Sequence, residues 1–330
     1  FRPLHSILLS SYFSLSFRNL SIVGCSSKME KEDTLLRRIL DGSREVLLEG
    51  DVHLKAKKAI SLFEEIETEI ENAKGLDLNT QILPLGCSSL SLETSARPHL
   101  NVVAPGKVMK RVGDGVNSEK IINTLHALAH MESWAIDLSF DIVSRYVHEN
   151  MPLQFFLDWL RVGWDEARHF VLLSDRLEAL GAFYGSKPVH DGLWESAMET
   201  KDSLLCRLAI MHIVHEGRGL DTTPKNIDRL RSCGDKKSAD ALAIILNEEV
   251  LHVAFGVKWF RYMAARTFPE VEASALFHNV VLQRFRGPLK EPFRKEYRDG
   301  ANLPEDWYRP LVNREAVEAE LKERKAWVAV

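Results

Sequence analysis

The feature that most constrains this chain is a long region of helical periodicity. Between Asn117 and about Phe285, apolar residues recur at intervals of three and four, as they do on one face of an α-helix. No alternating run of β-branched residues competes with this pattern. The sequence therefore predicts an all-α protein.

Four long helices are expected within this region. They are predicted from Ser118 to His148, from Pro152 to Gly181, from the connection 185–192 to Gly217 and Gly219, and from Ser238 to Thr267. Pro224 is expected to start a separate short helix, because proline fits the first turn of a helix.

The chain outside these helices differs in composition. Residues 30–75 have helical spacing, whereas residues 76–117 hold many prolines and glycines and are expected to wrap irregularly around the main body. The serine-rich, acid-free residues 1–28 suit an organellar transit peptide; alternatively, Met29 is the true start. The predicted divisions are a leader (1–28), a helical and wrapping segment (29–116), a four-helix bundle (117–286) and a C-terminal extension (287–330).

Charge and cysteine content exclude several classes of function. Forty-three basic against 47 acidic residues give a net charge of −4, which disfavours general nucleic-acid binding. The apolar-leaning runs are too short to cross a membrane. The cysteines are scattered without a C-x-x-C pair, which predicts free core thiols in a reducing compartment. That compartment is the cytoplasm, or a mitochondrion or plastid if residues 1–28 are a transit peptide. The cysteines are Cys25, Cys87, Cys206 and Cys233.

Two Glu-x-x-His motifs interrupt the apolar faces of the second and fourth helices. Glu166 with His169, and Glu249 with His252, each lie within an apolar stripe. Residues three apart project from the same side of a helix, so each motif offers one oxygen and one nitrogen ligand to a common point. About one such motif is expected by chance in a chain of this composition, so the motifs alone are weak.

A lone glutamate precedes each motif on the neighbouring helix. Glu132 lies 34 residues before Glu166, and Glu216 lies 33 residues before Glu249, each at helical spacing among apolar residues. The similar intervals predict two similar helix hairpins. One Glu from each of two helices and a Glu-x-x-His from each of the other two form the ligand set of dinuclear carboxylate sites in bundles.

The electrostatics of burial favour the same interpretation. Four carboxylates in one apolar core cannot all stay ionised without compensation. Two divalent cations would supply it, and oxygen with imidazole ligands suits iron best, with manganese as the alternative. The competing interpretation is that these six residues are surface or salt-bridged core residues.

Four neighbouring residues could support the ligands. Asp165 and Glu248 could hydrogen-bond the ligand histidines, or they could be solvated helix charges. His212 could be a further ligand, an outer hydrogen-bond donor or a core histidine. His130 lies two residues from Glu132 and on another helix face, so it is structural or an outer partner.

Several stretches resemble a ferritin-like family of largely unknown function, within the superfamily of ferritins, rubrerythrins and di-iron monooxygenases. They are HALAHMESWAIDL (126–138), DEARHF (165–170), HDGLWE (190–195), HEGRGLDTTP (215–224) and NEEVLHVAFG (247–256). The resemblance covers most of 43–312. It implies a ferritin-like four-helix bundle with a di-iron-type site at the six predicted ligands, and it implies no particular substrate.

The leading functional prediction is a di-iron or Mn/Fe carboxylate oxidoreductase that activates O₂ or peroxide for an unidentified substrate. The predicted ligand sets are Glu132, Glu166 and His169 for one ion and Glu216, Glu249 and His252 for the other, with Glu166 and Glu249 bridging. Without rubredoxin-type cysteines, an external electron donor is expected, and a homodimer is compatible with the sequence. The alternatives are a ferroxidase or iron-handling protein without an organic substrate, and a non-catalytic helical scaffold.

Overall fold

The computed structural model describes residues 26–73, 75–81, 92–104, 107 and 118–330. Within them, regular structure is helical apart from isolated bridges between Gln81 and Pro152 and between Val102 and Val189. The prediction of an all-α protein is confirmed. None of the helices in these ranges is both long and apolar enough to span a membrane.

Two helices form the N-terminal part, α1 (Ser26–Leu47) and α2 (Val52–Asn72). Asp51 caps α2, because its side chain accepts a hydrogen bond from the Leu54 amide at 2.9 Å. The helical prediction for 30–75 is thus confirmed, with a break between the two helices. The predicted leader lies outside the described residues up to residue 25, and α1 includes its last three residues.

The helices α3 (Ser118–Arg145) and α4 (Leu153–Ala179) pack along each other as a hairpin. Asn150, at a φ of 51°, makes the turn between them. The helices approach closely at Gly163, where a Cβ atom would lie 2.7 Å from the Phe140 ring. Gly181 follows α4 with a φ of 77°, a left-handed conformation that favours glycine. The predicted second helix is confirmed to within two residues at each end.

The third predicted helix is longer than its glycines suggested. Its predicted first part is a separate short helix, α5 (Gly192–Met198), which the non-helical residues 199–203 divide from α6 (Leu204–Ala209). A π-helix (Ile210–His215) and α7 (Glu216–Ser232) then follow α6 without a break. The predicted end at Gly217 and Gly219 and the separate helix starting at Pro224 are therefore wrong. The Gly217 carbonyl oxygen accepts a hydrogen bond from the Arg298 guanidinium at 3.2 Å. Leu220 and Ile227 of α7 are buried, so packing outweighs local propensity.

The fourth long helix, α8 (Lys236–Thr267), packs along α7 and also contacts α4. The predicted start at Ser238 is two residues late, because the Asp235 side chain caps the helix by accepting from the Ser238 amide at 3.1 Å. The C-terminal region adds four shorter helices, of which α9 and α10 contact α8. They are α9 (Ala273–Arg284), α10 (Lys295–Gly300), α11 (Glu305–Tyr308) and α12 (Arg314–Glu323).

Buried ion pairs connect α2, α3 and the segment 92–104. Lys55 of α2 and Asp137 of α3 are fully buried and form an ion pair, and Asp137 also pairs with Arg97. Arg97 belongs to residues 92–104, which contain no helix, so this irregular segment is held against α3. The remainder of the predicted wrapping segment beyond 75–81 and 107 lies outside the described residues.

The cysteine prediction is correct at one position and wrong at another. Cys206 is a buried free thiol, whereas Cys233 is free but exposed. Cys233 follows the last residue of α7, where the chain turns towards α8 at the surface. Cys25 and Cys87 lie outside the described residues.

Candidate metal centre

Three helices bring five of the six predicted ligands together. Glu132 comes from α3, Glu166 and His169 from α4, and Glu249 with His252 from α8. One ligand atom from each of Glu132, Glu166, His169 and Glu249 lies within 4.8 Å of all the others. Glu132, Glu166 and both histidines are buried. The two Glu-x-x-His motifs therefore face each other across the contact between α4 and α8.

Two glutamates each face both histidines. His169 Nδ1 lies 3.5 Å from Glu166 Oε2 and 3.5 Å from Glu249 Oε1. His252 Nδ1 lies 3.0 Å from Glu166 Oε1 and 3.3 Å from Glu249 Oε2. The two imidazole centres are 5.8 Å apart. Each of these carboxylates thus directs one oxygen towards each histidine.

Glu132 and Glu216 differ in position. Glu132 Oε2 lies 3.6 Å from His169 Nδ1, so Glu132 belongs to the side of the cluster defined by His169. Glu216 is the first residue of α7 and is not part of the four-residue group. Its Oε1 lies 2.8 Å from His212 Nδ1, and its Oε2 is buried without a hydrogen-bond partner. The structure places Glu216 at the edge of the cluster.

Burial and mutual repulsion perturb the acids. Burial and the negative charge of Glu166 raise the pKa of Glu132 well above its usual range. Burial and the charge of Glu249 likewise raise the pKa of Glu216. Burial also disfavours ionised Glu166, but its interactions with His169 and then His252 outweigh burial and lower its pKa.

The pKa values of both histidines are raised, although burial acts to lower them. Burial alone would lower the pKa of His169 and His252, but the surrounding carboxylates raise both well above the usual value. Without a cation, the cluster therefore retains protons at neutral pH. A divalent cation would replace that positive charge.

The predicted outer acids contact the histidine of the opposite helix. Glu248 of α8 has Oε2 at 2.8 Å from His169 Nε2, and Asp165 of α4 has Oδ2 at 3.5 Å from His252 Nε2. For Asp165, the opposing interactions with His252 outweigh burial and lower its pKa. For Glu248, those with His169 do the same. Asp165 is fully buried, so it is not a solvated helix charge.

Two arginines that the sequence analysis did not single out neutralise these outer acids. Arg161 Nε lies 2.9 Å from Asp165, and Arg168 bridges Asp165 at 2.8 Å and Glu248 at 3.3 Å. Their spacings from Asp165, four residues before and three after, are those of helical ion pairs and could have been found in the sequence.

His130 lies in a different set of contacts. Its Nδ1 is 3.0 Å from the Tyr184 hydroxyl, and its Nε2 accepts a hydrogen bond from Trp134 Nε1 at 3.2 Å. The step of two residues from His130 to Glu132 is more than half a turn of helix, which explains why the two side chains face different neighbours. Of the two roles predicted for His130, the structural one matches these contacts.

The donor atoms in the cluster fit a hard divalent cation. Within the part of the chain that the structure describes, Glu166 Oε2, His169 Nδ1 and both His252 nitrogens are buried without a hydrogen-bond partner. Such atoms cost about 1–3 kcal/mol each when unsatisfied. In the described part of the chain, the ion pairs of Glu132, Glu166, Glu216 and Glu249 are with histidines. A set of carboxylate oxygen and imidazole donors such as this one is suited to iron or manganese.

The fold and site together define an all-helical protein with a buried glutamate and histidine cluster. A family model described as "Protein of unknown function (DUF455)" matches residues 49–309, and the chain belongs to this family. All six predicted ligands lie within the matched residues.

A relative has been described in Haemophilus influenzae. This uncharacterised protein is 37% identical to the chain over 170 residues, which are 50% of this chain and 58% of the relative. The match therefore spans somewhat more than half of the relative's length. No solved structure shows a significant match to the chain.

Proposed function

We propose that this chain is a ferritin-like dinuclear carboxylate oxidoreductase that acts on O₂ or peroxide. The observation that carries the proposal is the placement of Glu166 and Glu249, each with one oxygen towards His169 and the other towards His252. This is what two carboxylates would do if they bridged two cations. Glu132 would be a further ligand of the cation at His169, and Glu216 would be a further ligand of the cation at His252.

The helix arrangement supports the ferritin-like part of the proposal. The pair α3 and α4 and the pair α7 and α8 each pack together, and α4 contacts α8. In each pair, one helix carries a lone glutamate and the other carries Glu-x-x-His. That distribution is the one found in carboxylate-bridged bundles.

Charge balance supports two cations rather than one. Arg161 and Arg168 pair with the outer acids Asp165 and Glu248, which leaves the four inner glutamates to be neutralised. Their combined charge of −4 when ionised equals the charge supplied by two divalent ions. The histidines would then bind as neutral imidazoles.

When bound, two redox-active cations supply electrons and open coordination positions for O₂ or peroxide. The chain's own residues hold the ligands in place and shield the centre from solvent. The Glu248 carboxylate holds His169 by its Nε2. The Glu166 side chain is 2% exposed, whereas Glu249 and Glu216 are 15% and 18% exposed, so the cluster is nearest to solvent at the latter two.

The substrate is not specified by these residues, and a separate electron donor is part of the proposal. The chain contains no C-x-x-C pair that could hold a rubredoxin-type iron. The bundle would therefore receive electrons from a partner protein or a small reductant.

Anaerobic loading with Fe(II) tests the proposal. We expect two iron ions per chain by elemental analysis, loss of at least one in Glu249→Ala, and O₂ or peroxide consumption with a transient visible band in stopped-flow spectra. Full occupancy in Glu249→Ala would contradict the ligand assignment. Loaded protein that reacts with neither oxidant would favour the non-catalytic scaffold. Iron oxidation by a 24-subunit shell in native mass spectrometry would favour iron storage.

A further inference from the structure

The π-helix at Ile210–His215 immediately precedes the ligand candidate Glu216. A π-turn takes in one more residue than an α-turn, so it changes which residues of a helix face a given neighbour. Residues 210–214 are all buried, so this irregularity lies in the core of the protein. π-turns are rare and often occur at functional sites.

Gly256 of α8 makes room for this π-helix. A Cβ atom at Gly256 would lie 2.4 Å from the His212 carbonyl oxygen and 2.9 Å from its carbonyl carbon. Both are backbone atoms and cannot move aside as a flexible side chain could. Gly256 is four residues after His252, one turn further along the same face of α8. The close contact is therefore adjacent to the metal centre.

His212 is held in one orientation by this packing. It is 1% exposed, and its ring centre lies 4.1 Å from that of the buried Trp159. Its Nδ1 lies 2.8 Å from Glu216 Oε1. The other Glu216 oxygen, Oε2, and His212 Nε2 are both buried without a hydrogen-bond partner among the described residues. One oxygen of Glu216 is thus engaged by His212, and the other remains available.

We propose that His212 is a positioning residue for Glu216. The π-helix and its contact with Gly256 set the orientation of the His212 side chain. This inference rests on the proposed function. His212 holds Glu216 by Oε1, which would leave the buried Oε2 to bind the cation at His252. Binding of the cation at His169 does not depend on His212, because ligand atoms of its four candidate ligands already lie within 4.8 Å of one another.

The test is an anaerobic calorimetric titration of the full chain with Co²⁺ alone, which also reports each site by its visible absorption. In His212→Phe, the second cation should bind roughly 10–100-fold more weakly, the usual effect of removing a residue that orients a ligand. The first cation should be unaffected. His212→Asn should restore most of the affinity, because its amide nitrogen lies near the position of the imidazole Nδ1.

A glycine pair provides an independent test. Gly256→Ala should reproduce the weaker binding of the second cation by displacing the π-helix backbone. Gly219→Ala is the matched control, because no atom lies within 4 Å of a Cβ atom added there. Circular dichroism establishes that each variant is folded.

The outcomes separate the two proposals. Wild-type protein that binds fewer than two Co²⁺ ions would overturn the dinuclear centre and this inference with it. Wild-type stoichiometry of two, with unchanged affinities in both His212→Phe and Gly256→Ala, would overturn the role of His212 alone. Equal binding by the Phe and Asn variants, or equal weakening of both cations, would also contradict it.

Discussion

Replacing Glu166 or Glu132 by glutamine should have unequal effects on metal stoichiometry. Glu166 directs Oε1 towards His252 Nδ1 at 3.0 Å and Oε2 towards His169 Nδ1 at 3.5 Å, whereas Glu132 contacts only the His169 side at 3.6 Å. We therefore expect two cations in the wild type, one in Glu132→Gln and none in Glu166→Gln. Glutamine keeps the side-chain shape, so loss of charge is the main perturbation.

The expected size of the effect can be stated as thermal stabilisation. A ligand at 100 times its Kd stabilises the folded state by about 2.7 kcal/mol. A large domain gains about 2–4 °C per kcal/mol, so each bound cation should raise the Tm by roughly 5 °C in this long chain. Metal addition should then shift the wild type by roughly 10 °C, Glu132→Gln by roughly 5 °C and Glu166→Gln by almost nothing.

The metal-free variants provide a second readout. Burial and Glu166 raise the pKa of Glu132, so the carboxyl must take up a proton when the chain folds at neutral pH. That uptake costs stability, and Glu132→Gln should therefore raise the Tm. The pKa of Glu166 is lowered because its contacts with the two histidines outweigh burial, so Glu166→Gln should lower the Tm. Elemental analysis and differential scanning fluorimetry measure both effects, with the exposed Glu67→Gln as control. Retention of one or more tightly bound cations by Glu166→Gln would refute the bridging geometry.

Further perturbations address the surroundings of the centre. Glu248→Gln should weaken one cation by roughly 10–100-fold without removing it, as seen by equilibrium titration, and unchanged affinity would show that its contact with the ligand histidine is unimportant. Arg207→Leu should cost about 3 kcal/mol in chemical denaturation because it removes one of the buried partners of Asp141, while metal stoichiometry stays at two. Metal affinity should fall as the pH is lowered, because the raised pKa values of Glu132 and Glu216 keep protons that a cation must displace; titrations with an indicator dye should detect their release, and a pH-independent Kd would contradict this.

The segments that carry the candidate centre were predictable because helix geometry is local. An acid embedded among apolar residues at helical spacing projects into the same interior as its neighbours, wherever the helix packs. This is why Glu132, Glu166 and Glu249 could be assigned to one interior before any packing was known. The outer acids Asp165 and Glu248 were open to two interpretations because contact with a partner helix is not encoded by spacing along their own helix.

The errors occurred where a residue serves a distant contact. Glycine and proline predicted a break after Gly217, but the Gly217 carbonyl accepts a hydrogen bond from Arg298, which is 81 residues away, and Leu220 and Ile227 beyond it are buried. Burying a leucine or isoleucine side chain stabilises the fold by about 1.5–3 kcal/mol, which exceeds the local cost of glycine in a helix, about 1 kcal/mol.

By itself, the sequence determined the all-α class and the four chain segments that present glutamate and histidine to the interior, since both depend on periodicity within single helices. Only the tertiary structure decided that Glu166 and Glu249 each face both histidines, that a π-helix precedes Glu216 and that Gly256 makes room for it. These features depend on distances between helices, which are set by side-chain packing between residues far apart in the chain.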